Sequence, residues 1–254
     1  MHPILLKIGA FTVYSYGVMV AVGFTLATVF IYMKAPKFGL SREKCIDLAI
    51  TILIAGVAGA RLLYVFLNSS FYTANPLEII MLYKGGLVWY GGFVSGLIAM
   101  IIYVRMNKLS FWSVVDLLAP YAALAQGFGR IGCYLNGCCY GMKVGPEFPL
   151  AVTFPPEADP RLPIQLISAG ALFLVFIILL IWQNRRRFAG EIFAGYCILY
   201  SSKRFIVEFF RGDNPRLFLG LTISQIISAV IFAAAITVFI MKAKQWKSVT
   251  TISK

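Results

Sequence analysis

The sequence predicts an all-α polytopic membrane protein, seven transmembrane helices with a small outward-facing head region. Three observations predict it. Apolar side chains make up 60% of the 254 residues and the mean hydropathy is +0.82, whereas soluble domains are about 45 to 50% apolar. Seven segments reach the length of about 20 residues that crosses about 30 Å of hydrocarbon. Basic residues are rich and poor by turns in successive connections, as a fixed orientation in a bilayer requires.

The first span, 12–33, opens Val13-Tyr-Ser-Tyr-Gly17, which sets Tyr14 and Tyr16 at an interface as an aromatic belt or as cavity lining. The second, 45–67, ends Gly56-Val-Ala-Gly-Ala-Arg61-Leu-Leu-Tyr64, where small residues allow close helix approach and Arg61 either snorkels to headgroups or faces a site. The third, 85–104, opens Gly85-Gly-Leu-Val-Trp-Tyr90-Gly-Gly and continues to Gly96, a spacing that suits close packing, with Tyr90 able to project into a cavity. The fourth, 112–131, carries Asp116, read as structural, then Gln126 and Arg130. Spans 163–183, 190–210 and 220–241 follow, and the longest polar connection runs from Gly132 to Leu162. Residues 1–254 read as one membrane domain, without repeats or low-complexity tracts. The first residues lack the basic region and cleavage site of a secretory signal, so span one is expected to be retained.

A net charge of +13 would point to nucleic acid in a soluble protein, but here the distribution argues for topology instead. Lys34, Lys37, Arg42, Lys44, Arg105, Lys108, Arg185, Arg186, Arg187, Lys242, Lys244, Lys247 and Lys254 all fall on one side. The other side holds only Lys7, Lys84, Lys143, Arg161, Arg211 and Arg216. The positive-inside rule then puts the N-terminus outside and the C-terminus in the cytoplasm.

Within the spans lie Arg61, Arg130, Lys203 and Arg204. A charge at mid-bilayer costs about 2.5 to 3.5 kcal/mol on insertion scales, so something anionic is expected to meet them. Arg204 and Glu208 are four apart and share a helical face, with Arg211 a turn further on. A self-neutralising ion pair is one reading of that spacing. One carboxylate cannot neutralise Arg61, Arg130, Lys203, Arg204 and Arg211 together, and the surplus suits a phosphate, which arginine engages through paired hydrogen bonds.

Cys133, Cys138 and Cys139 follow Arg130 on the outward side, where Cys133 could form a disulfide with Cys138 or Cys139. Three thiols without a nearby histidine are an incomplete zinc ligand set. Cys45 and Cys197 read as small buried hydrophobes. The only histidine, His2, stands at the N-terminus, which excludes a membrane-embedded imidazole base.

The run Gly129-Arg130-Ile-Gly132-Cys133-Tyr134-Leu-Asn136-Gly-Cys138-Cys-Tyr-Gly141 resembles the signature Gly-Arg-x-Gly-Asn-Phe-x-Asn-x-Glu-x-x-Gly of the prolipoprotein diacylglyceryl transferases. Tyr16-Gly17, Arg61 with Tyr64, Gly91-Gly92, Pro163-Ile-Gln165-Leu and Arg204-Phe-Ile-Val-Glu208-Phe-Phe-Arg211 agree with the same family, so the resemblance spans nearly the whole chain. It implies a seven-helix fold in a bacterial inner membrane, with no metal or dissociable cofactor. It also implies passage of the diacylglyceryl group of phosphatidylglycerol to the lipobox cysteine of a prolipoprotein, with release of glycerol phosphate. By that resemblance Arg130 and Arg204 grip the phosphate, and Tyr16, Arg61, Asn136, Gly141, Glu208 and Arg211 shape the cavity with Gln165 beside them.

Three positions depart from the family pattern. Tyr90 stands where a histidine often precedes Gly-Gly, Cys133 replaces the signature asparagine, and Cys138 replaces the signature glutamate. The proton of the acceptor thiol is then expected to go to Tyr90 or Glu208, or the arginine field alone favours the thiolate. Two other functions compete. A non-catalytic lipid transporter or scaffold would use the same helices, and a membrane thiol oxidoreductase would use the three cysteines, although adjacent Cys138-Cys139 is not the Cys-x-x-Cys spacing of that chemistry.

Overall fold

A computed structural model describes residues 1–9, 11–155, 159–212, 214–215 and 220–252. Arg216 and Lys254, which the charge pattern used, lie outside the described residues. The chain is mostly helical and divides into two compact units, one of Met1–Phe30 with Val115–Lys254 and one of Ile31–Val114.

All seven expected spans are helices: α1 (Ser15–Lys34), α2 (Arg42–Leu67), α4 (Trp89–Met106), α5 (Phe111–Asn136), α6 (Ile164–Gln183), α7 (Glu191–Glu208) and α8 (Ile223–Ile252), with a short α3 (Ser69–Ala74) after α2. Five are long and apolar enough to cross a membrane, namely α1, α2, α4, α6 and α8. The other two are where the polar residues collect. Helix α7 carries Glu191, Lys203, Arg204 and Glu208, and α5 mixes Asp116, Pro120, Gln126 and Arg130 with glycines. The strands among the described residues form two small antiparallel pairs, β1 (Ile4–Ile8) with β2 (Phe11–Tyr14) and β3 (Val152–Thr153) with β4 (Pro160–Arg161).

In the first unit, the core gathers Ala119 and Ala123 of α5, Val175 and Leu179 of α6 and Ile192 of α7. Glycines set the helix spacing. A Cβ on Gly23 would lie 2.9 Å from Phe128 Cβ and 3.0 Å from the Ala125 carbonyl, which brings α1 against α5. A Cβ on Gly127 would lie 2.5 Å from the Phe173 ring, and one on Gly195 2.5 Å from Trp182, so α5 meets α6 and α6 meets α7 at comparable closeness. The N-terminal segment is pinned at both ends of this contact. The His2 amide donates to the Leu135 carbonyl at 3.1 Å and the Ser15 amide to the Pro3 carbonyl at 2.9 Å.

Asp116 is structural, as its position in the sequence suggested. Its two carboxylate oxygens accept from the Gly190 amide at 2.7 Å and the Phe193 amide at 2.8 Å, capping the otherwise unsatisfied N-terminus of α7. Arg186 lies 3.4 Å from the same carboxylate. Pro120 sits one helical turn on and has no amide to give the Asp116 carbonyl. The Gln183 side chain supplies that donor at 3.0 Å. A second internal carboxylate, Glu191, is held by Arg187, by Trp182 Nε1 at 3.1 Å and by the Arg187 amide at 2.6 Å.

In the second unit, α2 and α4 cross on glycine. A Cβ on Gly91 would lie 2.4 Å from the Gly59 carbonyl, and one on Gly92 3.0 Å from that of Gly56, so the backbones touch where the spacing predicted close packing. The Val88 amide donates to the Ala60 carbonyl at 3.0 Å and ties the start of α4 to α2.

Candidate functional site

The end of α5 organises the site. Helix α5 stops at Asn136, and Gly137 takes φ +72°, the left-handed conformation that costs glycine nothing. The Gly137 amide then bonds the Tyr134 carbonyl and the Cys138 amide bonds the Cys133 carbonyl, both at 3.1 Å. This pair of bonds is the Schellman motif that closes a helix C-terminus, and it folds Cys138 back beside Cys133. Cys139, with φ +61°, continues the reversal, a conformation that costs a non-glycine residue about 1 to 3 kcal/mol. The Sγ atoms of Cys133, Cys138 and Cys139 lie within 4.8 Å of one another as free thiols. The disulfide that spacing allowed is therefore absent, and all five cysteines are free.

Past the thiols the chain becomes an extended strip. The Gly141 amide bonds the Leu162 carbonyl at 2.9 Å, the Met142 amide the Phe210 carbonyl at 2.9 Å and the Val144 amide the Pro160 carbonyl at 3.0 Å. Gly141 is the crossing point, because a Cβ there would sit 2.8 Å from the Leu162 carbonyl and 3.0 Å from that of Phe210. The strip pairs Gly141 with Arg211 and so joins the signature loop to the end of α7. Gln165 is fully buried at the start of α6 and donates to the Cys138 carbonyl at 2.9 Å. It holds the loop rather than facing open space. The Cys138 thiol donates to the Cys133 carbonyl at 3.7 Å, and Asn136 is exposed in the same turn. Away from the helices, an exposed ion pair with Lys143 holds the Asp159 carboxyl below the usual carboxylate range.

The cations of the first unit converge. Lys203 feels the charges of Arg130, Arg204 and Arg211, and lies 5.3 Å over the Tyr200 ring. Arg204 donates to Ser224 Oγ at 2.8 Å and pairs with Glu208 at 3.0 Å. Glu208 is buried, and accepts from Thr222 Oγ1 at 3.0 Å and from Asn214. Arg130 is half-buried one turn before Cys133 and makes no hydrogen bond or ion pair among the described residues. Tyr16 borders Arg130 and the three thiols, with Gly132 packed against its ring. An apolar groove of about 340 Å³ between α7 and α8, lined by Ser201, Phe205, Ile206, Ala229 and Phe232 among others, runs beside Arg204 on its own helix.

Sequence reasoning missed the groups that hold Glu208. A signal for one of them was present: Thr222-Ile-Ser-Gln225 is a capping box, and the Thr222 amide bonds Gln225 Oε1 at 3.0 Å while the Gln225 amide bonds Thr222 Oγ1 at 3.3 Å. The box fixes the Thr222 hydroxyl that Glu208 uses.

Arg61 and Tyr90 belong to the second unit. Arg61 is 5% exposed, and its guanidinium donates to the carbonyls of Glu78, Ile79, Met81, Gly85 and Gly86 at 2.5 to 3.4 Å. It also lies 5.3 Å from the Tyr72 ring and 5.8 Å from that of Tyr64. A guanidinium has five N–H donors, and the 78–86 segment engages the whole fork. Arg61 organises that segment. Tyr90 is 70% exposed at the start of α4, with its ring 5.3 Å from that of Trp89.

The model of the prolipoprotein diacylglyceryl transferase family matches residues 3–241. The chain belongs to that family. A phosphatidylglycerol–prolipoprotein diacylglyceryl transferase of Clostridium tetani is 33% identical over 97% of this chain and 99% of its own length. A second transferase of that name from Clostridium perfringens is 34% identical over 94% of each chain, and one from Streptococcus pyogenes 31% over 98% of each. Five apolar helices and this family make the chain a multi-pass membrane protein.

Proposed function

We propose that this chain transfers the diacylglyceryl group of phosphatidylglycerol to the lipobox cysteine thiol of a prolipoprotein and releases glycerol phosphate. The observation that carries the reading is the clustering of cations on the first unit, where the charges of Arg130, Arg204 and Arg211 act on Lys203 while Glu208 pairs with Arg204. Such a cluster in a low-dielectric setting calls for an anionic ligand, and a phosphodiester bearing acyl chains is the membrane-borne one. The names of the relatives support the same donor and acceptor. The groove beside Arg204 has the apolar lining an acyl chain needs.

In this reading α5 and α7 join the five apolar helices as spans, giving seven in one membrane domain of a bacterial inner membrane. The N-terminus is outside and the C-terminus cytoplasmic, and the loop from Gly132 to Leu162 forms a small outward head. Arg130, free of protein partners among the described residues, and Arg204 hold the phosphate. Arg211, Tyr16, Asn136 and Gly141 shape the surrounding cavity, and Gln165 supports it from behind by holding the Cys138 carbonyl. The acceptor thiolate attacks the glycerol carbon bearing the phosphate ester, and the departing oxygen's charge is met by fixed guanidinium groups that need no reorganisation. Both substrates are already confined to the bilayer, so positioning is half done before they meet. Tyr90 and Glu208 are the candidate proton acceptors on this chain.

The test uses purified protein in liposomes of phosphatidylglycerol with a lipobox peptide, following glycerol phosphate release together with peptide mass. Release coupled to a diacylglyceryl mass gain, and lost in Arg130→Ala, is the expected result. Lipid binding without release would sink the reading in favour of a transporter or scaffold.

A further inference from the structure

The three thiols at the end of α5 have no task in the reaction as drawn above. They lie within 4.8 Å of one another, and among the described residues no histidine or carboxylate joins them. Three tetrahedral Zn–S bonds of about 2.3 Å put sulfurs about 3.8 Å apart, so side-chain adjustments of about an ångström would close the triad on one ion. The backbone already aims them. The Schellman bond pins Cys138 to Cys133, Gln165 fixes the Cys138 carbonyl, and the left-handed Cys139 brings the third sulfur round.

Resting on the transferase reading, we propose that Cys133, Cys138 and Cys139 bind zinc(II) with one coordination position open, and that the acceptor cysteine takes that position. Three protein ligands and an open fourth is the arrangement of catalytic rather than structural zinc. A thiophilic ion is selected because every ligand is a thiolate. Three thiolates around a divalent cation leave a net negative complex, and Arg130, one turn back on the same helix, is a cation beside it. The site stands beside Arg130, one turn along the same helix, so a sulfur bound to the metal and a phosphate held by the arginine belong to one reaction zone.

The chemistry balances without a redox change. The acceptor thiol gives its proton to solvent as its sulfur binds the metal, since coordination deprotonates a thiol. The sulfur electron pair forms the C–S bond, and the C–O bond to phosphorus breaks with its pair remaining on the phosphate oxygen. Glycerol phosphate leaves as the anion, and the neutral thioether, a weaker ligand, gives up the metal. The zinc thus supplies the thiolate that an imidazole base would otherwise generate.

The experiment combines metal analysis with cobalt(II) substitution of the full-length protein in detergent. Stoichiometric zinc is expected in the wild type. It should be lost in Cys133→Ser, Cys138→Ser and Cys139→Ser, each checked for native helicity, and kept in Cys45→Ser and Cys197→Ser. Chelator-stripped wild type keeps the test independent of how the variants fold. The cobalt form should show thiolate charge-transfer and tetrahedral d–d bands that shift with a lipobox peptide and not with its Cys→Ser counterpart. A wild type that holds no zinc, or binds copper(I) instead, overturns the proposal, as does recovery of two of the three cysteines as a disulfide. Cobalt bands blind to the peptide overturn the open position. Full transfer by stripped protein overturns the acceptor role and leaves the transferase reading intact. Zinc and peptide bound with no product sink the transferase reading while the metal site stands.

Discussion

Replacing Arg61 with lysine keeps the charge, removes the fork and separates two roles for the residue. In the structure the guanidinium donates to five backbone carbonyls between Glu78 and Gly86. An ammonium has three donors on one nitrogen, so at least two of these bonds are lost. At about 1.5 to 3 kcal/mol for a bond from a charged donor, that is about 3 kcal/mol at the low end. With about 1.4 kcal/mol per decade, the opening equilibrium of the segment rises on the order of 100-fold. Hydrogen exchange read by mass spectrometry on protein in detergent micelles should show this at the amides of Met81, Gly85 and Val88, which are bonded to Glu78, Leu82 and Ala60. Phosphatidylglycerol affinity should change little, since Arg61 has no donor left for a phosphate. Unchanged exchange together with a large loss of lipid affinity would refute this reasoning and return Arg61 to the cavity lining.

Gly91→Ala should lower thermal stability by about 1 to 3 kcal/mol, the usual cost of overpacking, because the new Cβ meets the Gly59 carbonyl at 2.4 Å. Gly56→Ala, whose Cβ would find its nearest neighbour at 3.6 Å, should be neutral or stabilising in the same melting assay. Asp116→Ala strips the acceptor from two amides of the α7 N-terminus, one buried and one partly buried. At about 1 to 3 kcal/mol for each donor left unsatisfied, the melting temperature should fall clearly while lipid binding by the folded fraction stays put. Arg130→Ala should reduce turnover about 100- to 1000-fold, the scale on which single charge-stabilising donors act, and melting of this variant should match wild type because Arg130 has no protein partner among the described residues. Glu208→Gln leaves an acceptor for Thr222 and Asn214 but unpairs Arg204. Glycerol phosphate should then bind more tightly and inhibit more strongly, and weaker product inhibition would contradict the assigned charge balance.

Helix positions were legible in the sequence because hydrophobic length and basic connections are properties of composition along the chain. The close glycine contacts of Gly91 with Gly59 were legible for a related reason, since only backbone approach explains that spacing in an apolar run. The role of Arg61 was not. Its charge and depth read the same whether it meets a phosphate or a set of carbonyls, and the carbonyls come from a segment 17 to 25 residues away whose fold no local pattern encodes. The thiol triad was half legible. Asn136-Gly137 marks a helix end, and the motif that follows from it carries Cys138 back to Cys133, yet the left-handed Cys139 has no sequence signal of its own.

The two helices that are least apolar are the ones that carry the proposed chemistry, and this follows from what a membrane site must do. A lipid phosphate can be gripped only by cations that the bilayer would otherwise reject, so their cost has to be met by the fold before substrate arrives. In this chain α5 and α7 meet each other through an apolar core at one end, where Asp116 of α5 caps α7. At the other end the strip from Gly141 to Val144 ties the end of α5 to the end of α7 by backbone bonds. Between these fixed ends Glu208 neutralises one arginine and leaves Arg130 unpaired among the described residues. Glu208 offsets part of the cost of holding Arg204 in an apolar setting, and in the proposed reaction the charge left on Arg130 is the one a lipid phosphate meets.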